Sequence, residues 1–99
     1  MNYHISRQAD ADISQICDYI AKDNPDAAEL IDNRIHDAIQ RLARFPGLGH
    51  IRPDVTDKRY LFWAEGKYVI AYRLEDEELV VIRVLHGARD FRRIFPRKD

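Results

Sequence analysis

The sequence contains no hydrophobic run long enough to cross a membrane, and it has almost no cysteine. Its apolar stretches are far shorter than the roughly 18 residues that a membrane-spanning helix needs, and the first ten residues, MNYHISRQAD, lack the apolar core of a signal peptide. We therefore predict a soluble cytoplasmic protein. The single cysteine, Cys17, excludes an internal disulfide, and its position on the apolar stripe of a predicted helix favours ordinary core packing.

Signatures of bound cofactors are missing as well. The sequence has neither a glycine-rich phosphate loop nor a nucleophile elbow. His4 and His36 have no second potential ligand at the spacing of a metal site. We therefore predict that the protein uses no metal and no cofactor.

The residues that are present suffice for one modest core. The chain has 99 residues, of which 45% are hydrophobic and 33% charged, a composition typical of a folded domain with a charged surface. A chain of this length buries roughly 60 to 65% of its unfolded surface. We predict a single domain over residues 1–99.

The net charge of −1 hides an uneven distribution. Residues 1–51 carry five Lys or Arg against eight Asp or Glu, whereas residues 52–99 carry eleven against nine. Residues 83–98 hold Asp90 alone against Arg83, Arg89, Arg92, Arg93, Arg97 and Lys98. Such a cationic end attracts phosphate backbones or an acidic protein partner, and a solvated basic tail is the alternative.

Hydrophobic periodicity predicts a strand followed by two helices. Asn2 to Ser6 alternates aromatic or branched residues with polar ones, as a strand does. From Ala9 the apolar residues recur at helical spacing, and Asn24-Pro25 supplies the cap and first residue of a second helix that ends at Phe45-Pro46-Gly47. The few residues between the helices predict an antiparallel helical hairpin.

The second half predicts a β meander after a loop over residues 46–57. Three runs rich in β-branched and aromatic residues follow, Arg59 to Ala64, Lys67 to Leu74 and Glu78 to His86, with joints short enough for hairpins. Asp90 to Phe95 is predicted as a short last helix or an extended tail. The fold class is therefore α+β, in the order β-α-α-β-β-β, with the helical hairpin packed on a small, mainly antiparallel four-stranded sheet.

Strand parity predicts which side chains share a face of this sheet. Tyr68, Ile70, Tyr72 and Leu74 are assigned to the helical hairpin. Leu79, Val81, Arg83 and Leu85 share one side of the last strand, so Arg73 and Arg83 are expected on the uncovered face. That placement predicts a binding surface, and pairing of each arginine with a surface carboxylate is the alternative.

Other polar and aromatic residues receive simpler interpretations. Asp10, Asp12 and Asp18 are predicted to form a solvated face of the first helix, near its favourable N-terminal end. Tyr60 and Trp63 are expected to pack in the sheet, although aromatic residues beside arginine can also stack on bases.

Several segments together resemble the RelE/ParE toxins of bacterial toxin-antitoxin pairs. The segments are ADADI (9–13) through Tyr19-Ile20, NPDAA (24–28), FPGLG (45–49) with Arg52, YVIAYR (68–73) and VLHGARD (84–90). The resemblance covers nearly the whole chain. It implies a cognate antitoxin whose flexible segment wraps the toxin, and promoter DNA bound only through the complex of the two proteins.

The resemblance leaves two activities to weigh. RelE-like members cut messenger RNA in the ribosome, whereas ParE-like members inhibit DNA gyrase and use no known catalytic residues. The ending Leu85-His86-Gly87-Ala88-Arg89-Asp90 is similar to the ParE type and predicts gyrase as the target. The residues expected to contact the target or the antitoxin are Arg59, Arg73, Arg83, Arg89, Arg92 and Arg93.

A RelE-like ribosome-dependent endoribonuclease is the alternative. RNA cleavage needs a base, an acid and a cation that stabilises the phosphorane, and His86, Arg83 and Arg89 are the candidates for these roles, with His50 a more distant option. RelE-like sites often place a tyrosine near the C-terminus, where this chain has Phe91 and Phe95. A third possibility is a non-toxic binding module with the same fold.

Overall fold

A computed structural model describes residues 1–95 of the protein. The chain runs through strand β1 (Asn2–Ile5), helices α1 (Arg7–Ala21) and α2 (Pro25–Arg44), a 3₁₀ turn (Pro46–Leu48), strands β2 (His50–Ile51), β3 (Leu61–Glu65), β4 (Tyr68–Glu75) and β5 (Glu78–His86), and helix α3 (Phe91–Ile94). The predicted α+β order is confirmed, and the last segment forms a helix rather than an extended tail. Within the described residues, no helix is long and apolar enough to span a membrane.

Both long helices begin at side-chain caps. The Ser6 hydroxyl accepts the amide hydrogen bond of Ala9 at 3.1 Å, and the Asn24 side chain accepts that of Ala27 at 3.1 Å. Each cap satisfies an amide that lacks a partner within its own helix. The predicted hairpin therefore forms with two capped helices.

The sheet contains one strand more than predicted. Its order is β1-β5-β4-β3-β2, with β1 parallel to β5 and the other pairs antiparallel. The additional strand, β2, is two residues long and lies in the segment predicted as a loop. The two predicted hairpin joints are confirmed, with Gly66 at φ +58° in the first turn and Asp76 and Glu77 at φ +50° and +61° in the second.

The main core lies between the helical hairpin and one face of the sheet. Ile35, Ile39 and Leu42 of α2 are at most 1% exposed, and they pack with Ile70 and Tyr72 of β4. The predicted assignment of this side of β4 to the helices is confirmed for Ile70 and Tyr72. Leu74, near the end of the same strand, is 46% exposed.

A β-bulge in β5 changes which of its side chains face the helices. Tyr72 pairs with Val81 and the preceding Ala71 pairs with Arg83, so Ile82 has no partner in β4. Leu79 and Val81 therefore belong to the core under the helices, together with Val84, whereas Leu85 belongs to a second cluster. The prediction that Leu79, Val81, Arg83 and Leu85 share one face is wrong, because parity counting assumes an unbroken strand.

The opposite face of the sheet is also partly covered. The segment between β2 and β3, together with α3, packs onto this face through an aromatic and aliphatic cluster. Its buried members are Val55, Phe62, Ala71, Leu85, Phe91 and Phe95. The rings of Phe62 and Phe95 meet edge to face with centroids 5.3 Å apart. This face is therefore not the open surface that the sequence predicted.

Candidate binding surfaces

The Arg83 side chain forms an ion pair with Asp12 of α1. Its Nε and Nη2 atoms donate to the two carboxylate oxygens at 2.8 and 3.1 Å, and the Val84 amide donates to the same carboxylate at 3.0 Å. Asp12 is 5% exposed and the Arg83 side chain 22%. Two predictions are therefore wrong: Asp12 is not solvated, and Arg83 is not free on an uncovered face. Asp10 and Asp18 are exposed, as predicted.

Arg73 lies near the other end of the sheet and has a carboxylate partner. Its Nε donates to Glu75 at 2.7 Å, and both side chains are about half exposed. The predicted alternative, a pair with a surface carboxylate, is what the structure contains. Exposed pairs of this kind contribute little to stability, so Arg73 remains accessible.

The largest depression of interest is an apolar groove between the helical hairpin and the β3–β4 turn. We call it the hairpin groove, and its volume is about 640 Å³. Its apolar wall comes from Tyr19, Ile20, Ile31 and Ile35, and its polar rim comes from Arg34, Glu65, Lys67 and His86. Tyr19 is 76% exposed. The rim therefore combines two basic side chains, one acidic side chain and one histidine around an apolar wall.

His86 belongs to this groove. It is exposed, its Nδ1 accepts the Ala88 amide hydrogen bond at 3.0 Å, and its ring meets that of Tyr68 edge to face at 5.6 Å. Because Nδ1 accepts this hydrogen bond, Nε2 is the ring nitrogen that can contact a partner. The sequence identified His86 but missed Tyr19, Arg34 and Lys67, whose proximity depends on the packing of the hairpin against the sheet.

A second depression carries the C-terminal arginines. We call it the arginine patch: it is a shallow, open hollow of about 240 Å³ lined by Arg52, Arg89 and Arg92 with Asp54 and Asp90. Arg52 donates two hydrogen bonds to Asp54 at 3.1 and 2.9 Å, and these bonds lower the pKa of the Asp54 carboxyl. The Arg92 Nε donates to the backbone carbonyl of Asp54 at 2.9 Å.

The remaining predicted arginines lie around or near this patch. Arg93 is on α3, with a side chain 88% exposed, 3.4 Å from Asp90. Arg59 is exposed and precedes Tyr60, whose ring packs against Phe95. The predicted basic residues Arg97 and Lys98 lie outside the described residues. Arg52 was missed because it stands in a loop without any pattern that would mark it.

The three residues proposed for RNA cleavage have different surroundings. Arg83 is bound to Asp12, His86 lines the hairpin groove, and Arg89 lines the arginine patch. His50 lies in β2 at an edge of the sheet. Arg83 therefore has a carboxylate partner, whereas His86 and Arg89 stand three residues apart in one turn, in which the Arg89 amide donates to the His86 carbonyl at 3.0 Å.

The other residues singled out in the sequence take part in packing or hydrogen bonds within the fold. Trp63 packs against the main core and its Nε1 donates to Glu65 at 3.3 Å, while Tyr60 packs against the second cluster. Cys17 packs against the main core, and burial raises the pKa of its thiol. Over residues 1–95, no group of three His, Cys, Asp or Glu side chains is arranged to hold a metal ion.

The fold is an α-helical hairpin on a small, mostly antiparallel sheet, and its C-terminal end is cationic. Comparison with known proteins identifies the family to which a chain with this fold and this charge belongs. The family model described as "ParE toxin of type II toxin-antitoxin system, parDE" matches residues 3–91. A relative from Sinorhizobium fredii (strain NBRC 101917 / NGR234), named "Putative toxin Y4kP", is 36% identical over 76 residues, which are 76% of each chain.

A solved structure agrees with this assignment at the level of the fold. The structure titled "Chromosomal ParDE TA system from P. aeruginosa" superimposes with a TM-score of 0.72, at 20% identity, over 87% of this chain and 95% of that one. The protein belongs to the ParE toxin family of type II toxin-antitoxin systems.

Proposed function

We propose that the protein inhibits DNA gyrase in the bacterial cytoplasm, thereby blocking replication, and that a cognate antitoxin neutralises it. Membership in the ParE family supports this function, because members of the ParE type inhibit gyrase without catalytic residues of their own. The observation that carries the choice over RNA cleavage is the ion pair of Arg83, because the buried carboxylate of Asp12 holds this candidate phosphate-stabilising cation.

A supercoiling assay with purified gyrase tests the proposal. Increasing amounts of the full-length protein should reduce the conversion of relaxed plasmid to its supercoiled form, and prior addition of the antitoxin should restore it. His86→Ala should inhibit as well as the natural protein. If gyrase is unaffected while messenger RNA on translating ribosomes is cut, and if His86→Ala abolishes that cleavage, the RelE-like alternative is correct.

We propose further that the antitoxin covers the hairpin groove with an apolar segment. Tyr19, Ile20 and Ile31 offer apolar surface that a partner can bury, and Arg34, Lys67 and His86 can receive acidic side chains at the rim. Acidic residues of the antitoxin are also expected to meet the C-terminal arginines. Promoter DNA is then bound by the complex of the two proteins, mainly through the antitoxin.

Affinity measurements on variants separate these two contributions. Ile31→Asp, which places a charge in the groove, should weaken antitoxin binding at least tenfold, because a buried unpaired charge is strongly unfavourable. Reversing Arg89, Arg92 and Arg93 to Glu together should also weaken binding. The control Arg7→Glu, Lys22→Glu and Arg44→Glu makes the same charge change elsewhere on the surface. Equal affinity of the two triple variants would contradict the electrostatic part of the proposal.

A further inference from the structure

The arginine patch has charge that its own carboxylates do not neutralise. Four arginines, Arg52, Arg89, Arg92 and Arg93, surround two aspartates. Asp54 is engaged by Arg52, and Asp90 lies beside Arg93. Within residues 1–95, no hydrogen bond or ion pair holds the side chain of Arg89. Arg92 donates to the backbone carbonyl of Asp54, and its charge also helps to lower the pKa of the Asp54 carboxyl, which Arg52 already engages. Two guanidinium groups on one side of the molecule are therefore available to an anionic partner.

The surface around these arginines indicates which kind of anion they suit. Single-stranded nucleic acid is usually held by exposed aromatic rings on which bases stack. The two phenylalanines of this region are inside the second cluster, Phe91 at 7% exposure and Phe95 at 4%. They offer no stacking surface. An acidic peptide that contacted this patch alone would gain little affinity, because the patch is shallow, mainly polar and without an apolar anchor. The acidic residues expected of the antitoxin would therefore add to its apolar contact with the hairpin groove rather than replace it.

A regular array of phosphates needs neither a stacking ring nor an apolar anchor. It requires arginine side chains that can form bidentate, charge-assisted hydrogen bonds on an open surface. The acidic half of the chain lies elsewhere, since α1 and α2 carry most of the Asp and Glu of residues 1–51. Repulsion between phosphates and that acidic half would direct the arginine patch toward the nucleic acid.

We propose that the arginine patch binds the phosphate backbone of duplex DNA directly and without sequence preference. The preference for DNA over other duplexes rests on the proposed function, because an inhibitor of gyrase meets its target on DNA. Arg89 and Arg92 contact phosphates, and Arg93 is close enough on α3 to add a third contact. The toxin thus holds DNA itself, in addition to any contact with a protein target.

Fluorescence anisotropy with a labelled 20-base-pair duplex tests the proposal in the absence of gyrase. With two or three phosphate contacts, the dissociation constant should rise about 10- to 40-fold between 50 and 200 mM salt. Arg89→Ala should reduce the slope of log K against log salt by about one. Arg89→Lys, which keeps the charge, should retain most of that slope.

Lys22→Ala is the matched control, because it removes the same charge at the far end of α1. It should leave both affinity and slope unchanged. Thermal unfolding of each variant, followed by circular dichroism, establishes that the fold is intact. Equal loss from Lys22→Ala and Arg89→Ala, or tighter binding to a 20-nucleotide oligo(dT) than to the duplex, would overturn the proposal. Because no gyrase is present, these outcomes are independent of whether the protein inhibits gyrase.

Discussion

The two faces of the sheet are stabilised by different means. The face under the helical hairpin holds a continuous aliphatic core, and a buried ion pair, Asp12 with Arg83, joins α1 to β5 beside it. The face under α3 holds a smaller cluster that includes the rings of Phe62, Phe91 and Phe95. The first arrangement fixes the scaffold. The second fixes the position of α3, the short helix that carries Arg92 and Arg93.

The largest expected loss of stability comes from breaking the ion pair between Asp12 and Arg83 on the helical side of the sheet. Asp12→Ala leaves Arg83 without its carboxylate and the Val84 amide without an acceptor, and it should lower the free energy of unfolding by about 3 kcal/mol. Urea unfolding measures this change. Asp18→Ala, on the exposed side of the same helix, should stay within about 0.5 kcal/mol. Equal stability of the two variants would show that the pair is not structurally important.

The next largest loss of stability is expected from truncating an aromatic ring in the second cluster, on the other face of the sheet. Phe95→Ala removes a ring that contacts Tyr60, Phe62 and Phe91, and it should lower the free energy of unfolding by about 3 kcal/mol, the lower end of the range for a buried phenylalanine. Phe45→Ala is the control, because that ring is 60% exposed. If α3 is instead held mainly by its arginines, Phe95→Ala should unfold at the same urea concentration as the natural protein.

A smaller effect tests how the 3₁₀ turn is attached to the helical face. The Tyr72 hydroxyl accepts from the Gly49 amide at 2.9 Å and donates to the Pro46 carbonyl at 2.7 Å. Tyr72→Phe removes both hydrogen bonds and leaves the Gly49 amide and the Pro46 carbonyl without this partner, so it should reduce the free energy of unfolding by about 1 to 2 kcal/mol. Tyr68→Phe, at a half-buried tyrosine in the same strand, should leave the unfolding midpoint nearly unchanged. A similar loss from both variants would contradict the attachment.

The smallest effect has the opposite sign and concerns the β4–β5 turn, which belongs to neither face. Glu77 has a left-handed backbone conformation, with φ +61°, which is unfavourable for residues other than glycine. Glu77→Gly should therefore stabilise the protein by about 0.5 kcal/mol, after the entropy that glycine loses on folding. Glu78→Gly, one residue later in a strand, should destabilise it. Thermal unfolding distinguishes the two, and a loss from Glu77→Gly would refute the prediction.

Local pattern was sufficient to predict the long helices and strands of this fold. The helices and hairpins follow from apolar spacing, from the Asn24-Pro25 start and from short joints, and β5 has the predicted bounds, Glu78–His86. Strand β2 was missed because two residues give no periodicity. The bulge at Ile82 was missed because register is a property of two strands, and it invalidated the predicted face of Leu79 and Val81.

The candidate surfaces were predictable only in part. The burial of Asp12 depends on a partner 71 residues away, and no local feature separates it from the exposed Asp10. The C-terminal arginines were visible as a charge cluster, and the structure adds Arg52 and the burial of both phenylalanines. The hairpin groove joins residues from both helices and from the β3–β4 turn, so its existence depends on tertiary packing.

Pulse labelling of bacteria in the minutes after induction of this protein, without its antitoxin, tests the central claim most directly. Incorporation of labelled thymidine should fall first while incorporation of labelled methionine continues, because gyrase inhibition stops replication before it affects translation. An early fall in methionine incorporation would contradict the account and favour messenger RNA cleavage. Undisturbed growth and unchanged incorporation of both labels would contradict it as well and would indicate a non-toxic binding module.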